Sequence, residues 1–206
     1  QSASVTCVKP SGTVSNLVDS ASGIHARHAE YYIRTVRADK KDPLAQLMIE
    51  SGFYAESDVT RPENTWVFYF PQRAPKGAVT RNERTAIQQL EFWRLYQNHW
   101  CEHKPSATIY VQEEEWLDVG AWIYRHFDTV SGLAFLPNLE HIYKQAPYID
   151  CSKEEYEEWV KKTPENVDWT KLSVYENSDT TTGSQELACV AGACDIVDIS
   201  SQGSTK

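Results

Sequence analysis

Runs rich in β-branched and aromatic residues alternate with runs of helical period along most of this chain, and that alternation limits the fold more than any other feature. Ala3, Val5 and Cys7 alternate with Ser4, Thr6 and Val8, a period-two pattern that predicts a short opening strand. Val14, Leu17, Val18 and Ala21 then recur at helical spacing. Residues 31–36 read as a strand, and Asp42-Pro43 followed by Leu44, Leu47 and Met48 reads as a helix with proline in its first turn, ended by Ser51-Gly52. Residues 65–70, Thr-Trp-Val-Phe-Tyr-Phe, predict a strand covered on both faces and stopped by Pro71. The longest helical pattern runs from about Asn82 to about His103, with Ile87, Leu90 and Trp93 on one stripe and Phe92, Leu95, Tyr96 and Trp100 on another. Residues 107–111 form the next strand. A helix begins over residues 112–115, with Trp116, Leu117, Gly120, Ile123, Tyr124 and Phe127 as its expected core stripe, and residues 132–136 give a last strand closed by Pro137. Alternation of this kind predicts an α/β fold with parallel strands, either open or closed into a barrel.

Between the first strand and the first helix lies Lys9-Pro10-Ser11-Gly12-Thr13-Val14-Ser15. Thr13 or Ser11 can cap the helix, and free amides, hydroxyls and the positive end of the helix dipole together favour an anion, most often a phosphate. The loop matches neither common glycine-rich phosphate motif, so an ordinary capped turn remains open. Arg27, Arg34 and Arg37 are close enough in sequence to add charge to phosphate recognition, or to serve as structural or solvated arginines.

The 206 residues suffice for one domain with a tail, and seven Trp with eleven Tyr indicate extensive buried surface or a large interface. A net charge of −9 argues against nucleic-acid or anionic-membrane partners, which need clustered Lys and Arg. No apolar run approaches the roughly 18 residues of a membrane helix, and the start lacks the regions of a signal peptide, so a cytoplasmic protein is expected. A chain that opens with Gln1 and runs directly into a strand is expected to be the later part of something longer. His99 and His103 share a helical face near Cys101, but without an acidic or Cys partner at matching spacing they read as core or interface residues rather than metal ligands.

The division expected from these patterns is a folded part over residues 1–150, an acidic helix over 151–162 capped by Ser152 with Glu155 in the capping-box position, and a mobile polar tail over 163–206. Near its end Cys189 and Cys194 are separated by four mostly small residues, which let the backbone fold until the sulfurs meet. A disulfide closing so short a loop would stabilise little, and two ligands cannot complete a zinc site. Redox exchange is the reading that remains. The stretch of about 27 residues from Lys162 to Cys189 spans on the order of 30 Å as a flexible coil, enough to carry electrons to a buried site. The remaining three cysteines, Cys7, Cys101 and Cys151, read as structural or incidental.

A phosphate loop at a strand-to-helix turn combined with a C-terminal dithiol resembles the catalytic chains of ribonucleotide reductases, in particular the adenosylcobalamin-dependent class. Val8 to Ser15, then Ser22-Gly23-Ile24-His25 and Tyr31-Tyr-Ile-Arg34, resemble that family's substrate-phosphate loop and following strand. Asp118-Val-Gly-Ala-Trp122, Ser131-Gly132, Phe135-Leu-Pro137 and Gln145-Ala-Pro-Tyr148 resemble its late barrel segments, and residues 181–194 its tail.

The resemblance implies the C-terminal part of a ten-stranded α/β barrel with a flexible tail, acting on a ribonucleotide, the triphosphate slightly favoured. Thiyl-radical chemistry would replace the 2′-hydroxyl with hydrogen, and adenosylcobalamin, bound by the complete enzyme, would supply the radical. Ser11, Gly12, Thr13, Val14 and Ser15 would hold the substrate phosphates. Cys189 and Cys194 would re-reduce the active-site disulfide and be recharged by thioredoxin or a similar dithiol donor, while Tyr143 and Tyr148 fall in a region near the radical site. The radical cysteine, its neighbouring Asn and Glu, the reducible active-site cysteines and the allosteric site lie upstream of the phosphate loop in that family and are not in this chain. The chain is therefore expected to need an N-terminal partner. The competing reading is a small thiol-disulfide carrier, or a module that binds a phosphorylated ligand without reacting with it.

Overall fold

The structure, a computed structural model, describes residues 2–11, 14–138 and 144–176. After a single helical turn, α1 (Val14–Leu17), the chain enters β1 (Tyr31–Asp39), where four successive side chains, Tyr32 to Thr35, are buried because both faces of the strand are covered. Helix α2 (Pro43–Glu50) starts where the sequence places it: Pro43 needs no N–H partner at the first position, and the Asp42 carboxylate accepts from Leu44 N–H at 2.8 Å. A short β2 (Ala55–Ser57) leads into β3 (Thr65–Arg73), which pairs antiparallel with β1 along its whole length, Tyr31 opposite Arg73 and Asp39 opposite Thr65.

Strand β3 does not stop at Pro71. β2 reaches only Trp66 to Phe68, so past it one edge of β3 is open and a residue without N–H forfeits no ladder bond. Next comes α3 (Ala86–His99), shorter than its apolar pattern and opened by a reciprocal capping box between Thr85 and Gln88. β4 (Thr108–Val111), α4 (Trp116–Arg125) and β5 (Ala134–Pro137) form a β-α-β unit whose two strands are parallel. β6 (Tyr148–Asp150) returns to the other edge of β1, giving the sheet order β2-β3-β1-β6. The expected parallel arrangement thus holds for β4 and β5, whereas the larger sheet is antiparallel.

The main apolar cluster lies under the β-α-β unit: Ala86, Leu90 and Trp93 of α3, Ile109 and Val111 of β4, and Val119 and Trp122 of α4. Both indoles keep a hydrogen bond while buried, Trp93 Nε1 donating to the Pro105 carbonyl at 3.0 Å and Trp122 Nε1 to the Glu91 carboxylate at 2.7 Å. That indole bond, joined by one from Arg94, holds the Glu91 pKa below its ordinary value. The stripe expected for α4 is corrected here: Ile123 packs on the cluster as expected, but Leu117 and Tyr124 face outward, Phe127 lies exposed in the 3-10 turn after the helix, and Val119 with Trp122 face inward. Apolar residues occupy most of the circumference of α4, so period alone does not choose the buried side.

The opening segment is also corrected. Residues 3–8 form no strand and are instead held by bonds from an irregular segment: Glu102 and His103 N–H both donate to the Thr6 carbonyl at 3.1 Å, and Ser106 N–H donates to the Val8 carbonyl at 3.0 Å. Helix α5 (Lys153–Lys162) has the expected Ser152–Glu155 capping box and lays Trp159 on Tyr69, ring centroids 5.5 Å apart. Beyond it, a 3-10 turn over Trp169–Lys171 and α6 (Leu172–Tyr175) pack back on the molecule, Trp169 against Phe53 and the Tyr175 hydroxyl donating to Glu50.

Candidate functional site

The base of the loop of interest is fixed by hydrogen bonds. The Lys9 ammonium donates to the Lys104 carbonyl at 2.8 Å and to the Ser106 hydroxyl at 3.0 Å, so its charge is spent on holding the loop to the segment before β4. Ser11 N–H donates to the Ser22 hydroxyl at 2.8 Å. Gly23 lies beside the same strand of loop with φ +60°, and a Cβ there would sit 3.0 Å from the Lys9 carbonyl oxygen, so both backbone conformation and space require glycine. His25 completes the attachment, with Nδ1 2.7 Å from the Ser22 carbonyl and Nε2 accepting from Thr108 N–H at 2.9 Å. The Thr108 bond makes Nε2 the acceptor and assigns the ring proton to Nδ1.

Gly12 and Thr13 lie outside the described residues. Of their neighbours, Ser11 is exposed, Val14 is exposed, and Ser15 is buried with its carbonyl accepting from Ser20 N–H at 2.9 Å. α1 is a single turn, so its helix dipole offers an anion only a small contribution, which leaves the amides and hydroxyls of the loop as the anion-binding groups.

All three arginines weighed for phosphate contact have structural partners. Arg27 Nη2 pairs with the Asp19 carboxylate at 2.9 Å, and Arg34 donates to the Pro147 carbonyl at 3.1 Å while its guanidinium lies 4.5 Å from the Tyr148 ring centre. Arg37 bonds Asp58 at 2.6 Å and the Gln145 carbonyl at 3.1 Å. Beside Arg27 and Gly23 a cleft of about 370 Å³ opens, its far wall made by Arg84, Phe92 and Tyr96.

A second constellation surrounds Tyr148, while Tyr143, the other tyrosine expected near the radical site, lies outside the described residues. His28 stacks on the Tyr148 ring at 5.1 Å and binds Asp150 through Nε2 at 2.8 Å, and Arg81 takes the other Asp150 oxygen at 2.6 Å. The Nε atoms of Arg27, Arg34 and Arg81 are buried with no acceptor among the described residues. Just before Tyr148, Gln145 adopts φ 56° and is held on three sides: its side chain accepts from Val59 N–H at 2.9 Å and donates to the Ser57 carbonyl at 2.9 Å, and its carbonyl accepts from Arg37. The sequence offered no local signal for His28, Arg81 or Asp150, which meet where β6 pairs with β1, and although Gln145 stood in a recognised segment, its bonds to Arg37, Ser57 and Val59 were not legible there.

Asp58 anchors this side. It is 2% exposed, and burial by itself would raise its pKa. Bonds from the Thr60 hydroxyl and amide, from Arg37 and from Arg61 N–H outweigh burial and lower it to about 2. A carboxylate depressed from its ordinary value stabilises the fold above the unfolded-state pKa, and that stability is lost as pH falls through the folded one. Between about pH 4 and pH 2 the protein should lose on the order of 2 kcal/mol from this group. Asp58→Asn should remove that part of the acid sensitivity in a pH series of urea melts; an unchanged profile would contradict this role.

No family model matches the sequence. A solved structure does: a crystal structure of a B12-dependent, class II ribonucleotide reductase superposes with a TM-score of 0.68 and 27% identity, over 84% of this chain and 24% of that one. The fold is therefore that of part of a class II ribonucleotide reductase. Among curated relatives, the adenosylcobalamin-dependent ribonucleoside-triphosphate reductase of Euglena gracilis is 30% identical over 196 residues, covering 94% of this chain and 27% of the relative. A probable reductase of the same name from Dictyostelium discoideum is 29% identical over 96% of this chain, and the Lactobacillus helveticus reductase is 28% identical over 93%. The chain belongs to the adenosylcobalamin-dependent ribonucleotide reductases and spans about a quarter of the length of the curated relatives it matches.

The described residues do not by themselves fit adenosylcobalamin. The 370 Å³ cleft is at the small end of sites for drug-sized ligands, and a corrin ring with its nucleotide and adenosyl arms is far larger. Among the described residues there is also no cluster of three or more His, Cys, Asp or Glu placed to hold a metal ion, and no helix is long and apolar enough to cross a membrane.

Proposed function

We propose that this chain is the C-terminal part of an adenosylcobalamin-dependent ribonucleoside-triphosphate reductase, a cytoplasmic enzyme that replaces the 2′-hydroxyl of a ribonucleotide with hydrogen. The observation that carries the reading is similarity along nearly the whole chain to reductases of that name, joined to a fold match with a class II enzyme. The first part, residues 1–150, closes a ten-stranded barrel with the rest of the polypeptide, and the radical, its cysteine and the cobalamin site belong to that rest.

Two tasks fall to this chain's own residues. Ser11 to Ser15 hold the substrate phosphates, with Gly23 and His25 keeping the loop pinned to β4 while the nucleotide is bound. Cys189 and Cys194, outside the described residues, supply electrons. Each turnover converts a ribonucleotide and a dithiol into a deoxyribonucleotide, water and a disulfide. The tail thiolate attacks that disulfide, two exchanges move it onto Cys189 and Cys194, and thioredoxin or a similar dithiol donor reduces them again. Tyr148, and Tyr143 before it, stand near the radical site in this reading, with His28 and Arg34 fixing the Tyr148 ring.

Removing hydroxyls from the loop tests its role. Thr13→Val with Ser15→Ala in the complete enzyme should weaken ribonucleoside triphosphate binding by about 1 to 3 kcal/mol, the worth of hydrogen bonds to charged oxygens. Equilibrium dialysis reads the loss, and unchanged affinity would remove these side chains from the phosphate site.

A further inference from the structure

Helix α4 carries its largest unexplained feature on the side away from the core. Leu117 and Tyr124 are 87% and 86% exposed, and their spacing of seven residues puts them on one stripe of the helix, with Trp116 at its start and Phe127, 72% exposed, in the 3-10 turn that follows the helix. Contiguous apolar surface of this kind is uncommon on a chain that has no partner. Gly120 sits in the middle of the stripe. Glycine inside a helix costs roughly 0.5 to 1 kcal/mol against alanine, and nothing among the described residues requires it here. Its φ is helical, and a Cβ added to it would meet no atom within 4 Å. A bare glycine flanked by large apolar side chains is the surface that a closely approaching element needs.

We propose that this outer face of α4, centred on Gly120, is where the remaining part of the reductase polypeptide docks. The inference rests on the proposed function. The occupant is set by two facts: about three quarters of the length of the relatives lies outside this segment, and the parallel β4–β5 pair under α4 has two strands among the described residues. Parallel sheets occur with further strands and with both faces covered, so this unit is built to be completed by other chain. The inner face of α4 is already packed on its own strands by Val119 and Trp122, which leaves the outer stripe for the added polypeptide.

The test uses the complete reductase, this chain together with the polypeptide from the same source that carries the rest of the enzyme. Leu117→Cys and Tyr124→Cys should react with a maleimide, read at each site by mass spectrometry, at least tenfold more slowly in the native complete enzyme than in the same protein unfolded in urea. Gly120→Leu should weaken association of the two parts at least tenfold while leaving the melting temperature of this chain unchanged or raised, an outcome a purely internal role for Gly120 would not give. Equal labelling rates in folded and unfolded enzyme, or normal association of Gly120→Leu, would overturn the proposal. So would protection that appears in this chain alone and grows with its concentration, which would mark a second copy as the occupant. Deoxyribonucleotide formation by the unmodified pair is measured in parallel: turnover with an open α4 face refutes the docking surface alone, whereas no association and no turnover refutes the functional reading with it.

Discussion

Replacing both tail thiols, Cys189→Ser with Cys194→Ser, should leave the complete enzyme able to reduce one equivalent of ribonucleotide and then stop it. On the proposed function, the first turnover would draw its electrons from cysteines elsewhere in the enzyme, and the tail would be needed only to restore them. With a protein dithiol donor the double variant should therefore show a burst of one product per site and no steady state. A small dithiol that diffuses into the site should bring back slow multiple turnover, since exchange needs only a thiolate with access to the disulfide. Loss of the first turnover in a folded enzyme would contradict the shuttle role, and undiminished steady-state turnover would remove it altogether.

The second large effect is on stability. Trp93 is 0% exposed at the centre of the cluster that joins α3, β4 and α4, and its indole N–H satisfies the Pro105 carbonyl. Trp93→Ala should cost about 3 to 5 kcal/mol through lost burial and the cavity left behind. Leaving Pro105 without its donor adds to the damage. Against a typical total of about 5 to 15 kcal/mol, that is enough to populate unfolded protein at growth temperature. Urea denaturation followed by circular dichroism gives the loss directly, and a cost below about 1 kcal/mol would mean the cluster does not hold these elements together.

Local chemistry made several elements legible. Asp42-Pro43 gave the start of α2, Ser152 with Glu155 gave α5, and the β-branched and aromatic runs gave β1, β3, β4 and β5 within a few residues. Pairing was not legible. β2 and β6 are three residues each, too short to show a period, and the place of β6 in the antiparallel order depends on contacts across more than a hundred residues, such as Ile33 with Ile149. The face of α4 was misread for a related reason: a helix apolar on most sides is consistent with burial on any of them, and only tertiary packing chooses.

The candidate site was legible in part. Ser22, Gly23 and His25 stood in the recognised segment, and the structure shows what they do: they clasp the loop to itself and to β4. The arginines were the weaker guess. A guanidinium in sequence proximity to a phosphate loop says nothing about whether a carboxylate or carbonyl elsewhere has already claimed it, as Asp19, Pro147 and Asp58 have. Gln145 shows the same limit from the other side, since its three bonds reach segments far away in sequence.

The most direct measurement mixes this chain with the polypeptide from the same source that carries the rest of the enzyme, adenosylcobalamin, a ribonucleoside triphosphate and a dithiol donor, and follows deoxyribonucleotide by chromatography. Product is expected only when both polypeptides and the cobalamin are present, and none from either part alone. Product from the mixture lacking this chain, or steady thiol exchange by this chain alone with no product from the full mixture, would contradict it.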